Sequence, residues 1–566
     1  MNQPSPAIVA QGAVRRLPHV ALWLFSLSYV LLGFIGRSPW RGADAAAYGY
    51  MAELAQGRTD WLAPLLQGMP PEIDTLLPYW LGAWAMLLAP SWVQPDLAAR
   101  LPFIALLALT LVAVWQGIYY LARSPLAQPV AFAFGGEARP NDYARAMADG
   151  GLLAFIATLG LAQLSHETTP AQVQLCFTAL TFYAFAALPY RRWTPAVAAV
   201  CGLAGLALSG APSVALLLAG GAVVIHALDR AHAQQDPRRH RRALWGLIAL
   251  ALLVVALASA LALWRWQVRL PLTWAAWQGL GRLMLWFTWP VWPLVLWTLW
   301  RWRRQLFRLN PSRHLAVPLW FGLVTVLATL MTPAGDRALL QALPALAALA
   351  AFALPTLGRS VAALIDWFTL LFFTGCAIII WVVWIAMMTG LPPQPAANVA
   401  KLLPGFEPLF HLVPFVFALL ATLAWGWLVK WRIGRHRAAL WKSMVLPSGG
   451  AALSWLLLTT LWMPALDHGL GYAPLVRRIE QVVPPGECTA QFGLPRGLIA
   501  AIQLHSGLKL EPATDRSRCD WLLMEGDIVA QTPEIVNPVV WQRVMLLGHP
   551  REGGQDVVIY RRRQSL

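Results

Sequence analysis

Charge is scarce in this chain. Only 12% of its 566 residues are Asp, Glu, Lys or Arg, against about 25% in soluble domains, which excludes an ordinary soluble enzyme. Acids are scarcer than bases, 26 against 43, giving a formal net charge of +17. Five cysteines in so long a chain exclude a disulfide-built scaffold. No Walker loop, dinucleotide fingerprint, H-E-x-x-H or paired C-x-x-C stands out, so an ATP-driven pump and a zinc protease have no support. Internal repeats and long low-complexity segments are also missing.

What is there is apolar: 58% hydrophobic residues and a mean hydropathy of +0.55. Apolar runs of about 18 residues or more, long enough to cross a bilayer as helices, recur over the first four fifths of the chain. Roughly thirteen spans are expected, near 19–36, 99–121, 148–165, 171–189, 194–210, 212–228, 244–264, 282–300, 315–332, 341–356, 366–388, 406–429 and 443–463. The first follows Arg15 and Arg16 without a small-residue cleavage site and reads as an uncleaved signal anchor. The apolar stretch Leu76–Ala89 is short and bounded by Pro78 and Pro90, so it reads as a helix lying on the membrane surface.

Charge placement sets the expected topology. With the N-terminus in the cytoplasm, cytoplasmic segments hold 23 Lys or Arg and the opposite loops, with their span ends, 9, with the runs RRHRR at 238–242, RWRRQLFR at 301–308 and KWRIGRHR at 430–437 all inside. Such clusters read as topology determinants, and no nucleic-acid partner is expected. Past Pro464 the composition turns polar. The segments 519–527, 541–549 and 555–562 read as strands and Arg496–Ser506 as a helix. The expected organisation is a helical membrane domain over 1–463, including a first external loop at 37–98, and a small external α/β domain over 464–566. Cys488 and Cys519 share that last segment, where an oxidising compartment allows a disulfide and two lone thiols are the alternative.

Fifteen acids precede residue 464, and six of them, Asp44, Glu53, Asp60, Glu72, Asp74 and Asp96, crowd the first external loop. Asp44 follows the first span closely, where a carboxylate at the membrane face can act as a general base. Solvated helix caps are the plainer reading for Asp60 and Asp96. His166 and Glu167, at a span end facing the same loop, are further candidates for proton handling or for a divalent cation. Scarcity on the external side marks Arg265, Arg269, Arg282, Arg337 and Lys401 as candidate phosphate partners, each also readable as a snorkelling helix-end residue. Most of the 31 Trp read as interfacial anchors, with Trp40, Trp61 and Trp80 as candidate sugar-pocket walls.

The segments RGADAAAYGYMAELAQGRTDWLAPLLQG, PYWLGAWAMLLAP and DLAARLPFIALLAL resemble the first periplasmic loop and second span of bacterial aminoarabinose lipid A transferases, family 39 glycosyltransferases in the wider class related to protein O-mannosyltransferases. Asp44, Tyr48, Asp60, Trp61, Pro64, Gly68, Tyr79, Trp80 and Arg100–Pro102 fall in order on that pattern. DRALLQALPALAALAA at 336–351 is similar to a later segment of it. The family's E-K-P lysine falls on Asp74 here, and its acidic residue beside a proline in the second external loop is replaced by Thr169–Pro170, preceded by His166–Glu167.

The resemblance implies a GT-C fold, a bacterial inner-membrane location, and transfer of a sugar from a polyprenyl-phosphate carrier to a lipid, glycan or protein acceptor at the periplasmic face. It implies Asp44 as the catalytic acid-base residue. Tyr48, Asp74 and Tyr79 are candidate substrate-binding residues beside the cations named above. The rival readings are a transporter or lipid flippase, marked by inverted repeats and midspan polar residues, and a noncatalytic binder of lipid-linked sugar.

Overall fold

The structure, a computed structural model, describes residues 5–229, 234, 236–264, 273–306, 312–332, 335–433, 439–514, 518–531, 536–548 and 556–563. Up to residue 229 the chain forms the α-helices α1 (His19–Leu32), α2 (Ala43–Ala55), α3 (Leu77–Leu88), α4 (Pro95–Ala122), α5 (Pro140–Ala157), α6 (Leu161–Leu164), α7 (Pro170–Ala187), α8 (Trp193–Leu208) and α9 (Pro212–Leu228). Next come α10 (Pro237–Ala260), α11 (Trp274–Phe287), α12 (Val291–Arg301), α13 (Arg313–Leu330), α14 (Gly335–Leu339), α15 (Leu343–Ala351), α16 (Arg359–Thr389), α17 (Pro393–Leu402), α18 (Leu412–Ile433), α19 (Lys442–Leu461), α20 (Met463–Leu470) and α21 (Ala473–Glu480). Proline opens α4, α5, α7 and α9, where its missing N–H costs nothing and its fixed φ suits the first turn.

Among the described residues seven helices are long and apolar enough to cross a membrane, or eight if α11 and α12, bent by 89°, form one broken span. This is a multi-pass membrane protein; by length and composition the described helices do not establish the expected count of thirteen. Several expected spans are helices of 14 to 17 residues, such as α1, α8 and α9, short of the roughly 20 residues that a bilayer core requires. Hydropathy windows count any apolar run, whereas α5 and α7 owe their apolarity to packing: α7 lies between α4 and α8, and α5 between α4 and α19. The stretch at Leu76–Ala89 forms the 12-residue α3, too short to span, resting on α2 and α4.

After α21 the chain builds a five-stranded sheet from β1 (Cys488–Phe492), β2 (Lys509–Pro512), β3 (Trp521–Glu525), β4 (Trp541–Leu547) and β5 (Val557–Arg562), in the order β2-β1-β3-β5-β4. β1 pairs in parallel with β2 and β3, and β5 pairs antiparallel with β3 and β4. The parallel half needs a crossover, and α22 (Arg496–His505) provides it between β1 and β2. The three expected strands and the helix are present; β1 and β2 went unread, being short and flanked by Pro and Gly. Cys488 and Cys519 are joined in a disulfide with Cα atoms 4.8 Å apart, tying the start of β1 to the turn before β3. α22 packs along α2, so the sheet domain sits on the segment that carries Asp44.

Candidate active site

The chain leaves α1 through Gly36 and reaches α2 through Gly42, both with positive φ, 77° and 81°, a conformation that glycine adopts without steric cost. The loop between them tucks Arg37 back under the first turn of α2. Asp44 Oδ2 accepts hydrogen bonds from Arg37 Nη1 at 2.7 Å and Trp40 N at 3.0 Å, and its Oδ1 accepts from Thr168 N at 2.7 Å and Thr168 Oγ1 at 2.6 Å. Arg37 spends its remaining donors on the carbonyls of His166 at 2.6 Å, Gly33 at 3.2 Å and Ser38 at 3.2 Å. Both side chains are 1% exposed. Burial alone would raise the Asp44 carboxyl, but the Arg37 charge and the donors around it outweigh burial and hold it at about 2.

The next residue but one in space is a second carboxylate in the opposite condition. Glu167, 3% exposed, accepts from Arg337 Nη2 at 2.9 Å. Burial pushes its carboxyl up to about 7; the Arg337 charge opposes that shift and Asp44 reinforces it. One tripeptide, His166–Thr168, thus connects the two acids: Thr168 bonds Asp44, Glu167 bonds Arg337, and the His166 carbonyl caps Arg37. Environments that drive two neighbouring carboxylates apart are how sites separate a fixed anion from a titrating acid-base group.

Beside this network lies a polar cavity of about 530 Å³. Gly42, Ala43, Ala46, Ala47 and Tyr50 of α2 form one side, with Thr169, Gln174 and Arg337 facing them. Glu72, Ile73 and Tyr79 approach from the first loop, and Gly493–Gly497 from the sheet domain. Tyr50 and Tyr79 stack with ring centroids 5.0 Å apart. Gln341 Nε2 donates to Gln174 Oε1 at 2.7 Å and Gln174 Nε2 to the Ser209 carbonyl at 2.7 Å. An apolar groove of about 840 Å³ lies on the other flank of α1, lined among others by Leu24, Ser28, Leu31, Trp384, Phe415 and Leu456.

Of the residues singled out by sequence, Tyr79 and Arg337 line the polar cavity, and Asp44 and Glu167 sit directly behind its wall. His166 does not join them. Its ring packs against Tyr29, Phe34 and Trp455, with Nδ1 2.5 Å from the Ala162 carbonyl and Nε2 2.9 Å from that of Tyr29. Burial lowers its imidazole to about 4, against the two carbonyls, which favour the protonated ring, and the ring stands among aromatic side chains away from the cavity. Because its nitrogens face carbonyls, His166 and Glu167 do not converge on a cation site. Among the described residues the one group with metal-ligand spacing is Cys488, Glu511 and Cys519, whose thiols are consumed by the disulfide.

Tyr48 is buried on α2 under the influence of Asp96 and Arg100, and it is not a lining residue. Asp74 sits beside the cavity loop, with its carbonyl near Gly210. Arg282 and Lys401 are exposed on α11 and α17, away from the cavity. Arg265 and Arg269 lie outside the described residues. Trp40 stacks under Arg37 at 4.5 Å and donates to Asp467 at 3.3 Å, and Trp80 donates to the Trp61 carbonyl at 2.7 Å; these indoles brace the loop and line neither the cavity nor the groove. Sequence reading missed Arg37, Thr168, Gln174 and Arg496. Arg37 had a signal, a cation seven residues before Asp44 at the very end of the first span, and Thr168 directly follows Glu167; Gln174 and Arg496 are joined to the site only by long-range packing.

Neither a protein-family model nor a curated protein sequence matches the chain. Solved structures do. ArnT from Cupriavidus metallidurans bound to undecaprenyl phosphate superposes with a TM-score of 0.59 at 13% identity, covering 96% of this chain and 98% of that one. Its apo form gives the same TM-score and coverage at 14% identity. The chain therefore has the GT-C fold of ArnT over nearly its full length, membrane helices and sheet domain together.

Proposed function

We propose that this chain, built on the fold of a protein crystallised with undecaprenyl phosphate, is a glycosyltransferase that moves a sugar from a polyprenyl-phosphate carrier to an acceptor at the periplasmic face of a bacterial inner membrane. The observation that carries the reading is the pairing of Glu167 with Arg337 at the wall of the polar cavity, backed by the Arg37–Asp44 ion pair. The cavity takes the sugar and phosphate; the apolar groove beyond α1 suits the isoprenoid tail. Arg337 offers the phosphate a planar fork of donors, and its Nε has no partner among the described residues.

In the transfer the acceptor oxygen or nitrogen bonds to the anomeric carbon, the carbon–oxygen bond to phosphate breaks, and the phosphate leaves with the electron pair. The acceptor proton must go to a base. Asp44, the expected base, has four donors on its two oxygens and a carboxyl held at about 2, so it is a weak base until one donor is displaced. Glu167, raised to about 7, is matched to that task. We assign proton removal to Glu167 and the fixed negative charge to Asp44. A phosphate that engages Arg337 draws positive charge away from Glu167 and makes it more basic, so donor binding primes the acid-base group. The test is mass spectrometry of envelope glycolipids and glycoproteins from cells carrying the wild-type chain, the Glu167→Gln chain or none. A glycoform present only with wild type is expected; identical profiles in all three sink the assignment.

A further inference from the structure

The sheet domain contributes a wall to the polar cavity, and that wall carries a cation. Arg496, the first residue of α22, lines the cavity. Its root is held hard against the Asp44 segment. A Cβ on Gly497 would come within 3.0 Å of the Gly42 carbonyl oxygen, and one on Gly49 within 2.6 Å of the Ala500 methyl, so only glycines allow α22 and α2 to meet this closely. Gln503 adds a hydrogen bond to Glu53 at 2.8 Å. The guanidinium donates from Nε to the Pro70 carbonyl at 3.1 Å and from Nη1 to Glu72 Oε1 at 3.3 Å, and it also meets the Tyr50 hydroxyl. The Arg496 side chain is 29% exposed but the Glu72 carboxylate is 79% exposed, and an ion pair so open to water is readily exchanged. Across the cavity stands Arg337, and Thr169, 1% exposed, presents a buried hydroxyl with no hydrogen-bond partner among the described residues.

We propose that Arg496 is a substrate-binding residue supplied by the C-terminal domain, whose guanidinium leaves Glu72 to hold a phosphate group in the polar cavity. Glu72 is then the competing carboxylate that occupies the fork when the cavity is empty. The inference deepens the glycosyltransferase reading, which supplies the phosphate either from the carrier lipid or from a phosphorylated acceptor. The chemistry is shared, since a planar guanidinium matches either phosphate by paired hydrogen bonds.

The test uses the full-length protein in detergent. Binding of undecaprenyl phosphate, of undecaprenol as its phosphate-free control, and of glucose 6-phosphate as a tail-less sugar phosphate is followed by calorimetry. Arg496→Ala is expected to weaken a phosphate probe about tenfold or more while leaving undecaprenol unchanged. Loss confined to undecaprenyl phosphate assigns the carrier, and loss confined to glucose 6-phosphate assigns the acceptor. Glu72→Gln is expected to tighten the same probe, because it removes the competitor; a purely structural clasp predicts that both variants act alike. Arg496→Lys keeps the charge without the fork and should fall between. An unchanged thermal melt for Arg496→Ala guards against simple misfolding. Wild-type affinity of Arg496→Ala for both phosphate probes, or weakening by Glu72→Gln equal to that by Arg496→Ala, overturns the proposal. These readouts need no turnover, so phosphate binding that depends on Arg496 in a chain without transfer activity would retire the enzymatic reading and keep this one.

Discussion

The two hollows at the ends of the α1–α2 loop differ in the chemistry of their walls more than in size. The groove, about 840 Å³, is lined almost wholly by aliphatic and aromatic side chains, with Ser28, His411, Thr459 and Thr460 as its polar members. The cavity, about 530 Å³, gathers Glu72, Arg337 and Arg496 with Gln174 and the tyrosines. Gly36 lines the groove and Gly42 and Ala43 the cavity, and we infer that Arg37 and Asp44, each the next residue along, form the partition. A chain with so few charges has placed a fully satisfied ion pair between an apolar compartment and a polar one. A substrate with an apolar tail and a charged head would lie across that partition, with its reacting bond on the polar side.

The largest effect is expected from breaking the partition. Asp44→Asn keeps the shape but leaves Arg37 as an uncompensated buried cation, a change that costs about 3–5 kcal/mol in buried pairs. Thermal unfolding in detergent should show the loss, together with loss of transfer. The paired change Arg37→Met with Asp44→Asn removes both charges and should recover much of the stability without recovering activity. If Asp44→Asn melts like wild type, the ion pair is not what separates the two compartments.

The cavity side alone is probed by Glu167→Gln, which should lower transfer by about 10²-fold with far less damage to stability, because Arg337 stays partly solvated. The pH profile assigns the base. A residue with a carboxyl near 7 is proton-free, and so competent, above that pH; the wild-type kcat/KM, which reports the donor-free enzyme, should therefore climb through neutrality to a plateau. Were Asp44 the base, with its carboxyl at about 2, the rate would already be flat from pH 5 upward. Loss of the neutral step in Glu167→Gln would tie it to this residue.

How much of this was legible beforehand follows from the range of the interactions. Helix-length apolar runs, the short helix α3, the strands and helix past residue 464 and the nearness of Cys488 to Cys519 are local or compositional, and sequence carried them, though it left the disulfide open against two lone thiols. The importance of Asp44 was legible from its place after the first span. Its fourfold hydrogen bonding was not, since Thr168 arrives from 124 residues away. Glu167 could be named, but its raised carboxyl depends on burial that no local pattern encodes. His166 looked catalytic by residue type, yet Gly33 leaves the space into which its ring turns: a Cβ there would lie 2.3 Å from His166 Cδ2. Arg496 was invisible because its contacts to Pro70 and Glu72 span 426 and 424 residues.

The smallest effect is expected on the apolar side and separates the two hollows most cleanly. Ser28 lines the groove and is itself exposed, so Ser28→Trp fills groove volume without overpacking the core, and stability should move by no more than about 0.5 kcal/mol. Undecaprenyl phosphate needs room for its tail, so its affinity should fall severalfold. Glucose 6-phosphate has no tail, and its affinity should not change. Calorimetry with both probes on one preparation gives the ratio directly, free of differences in active fraction. Equal weakening of both would mean that the groove and the cavity are one compartment and that the Arg37–Asp44 pair does not partition them; no weakening of either would place the isoprenoid tail elsewhere on the bundle.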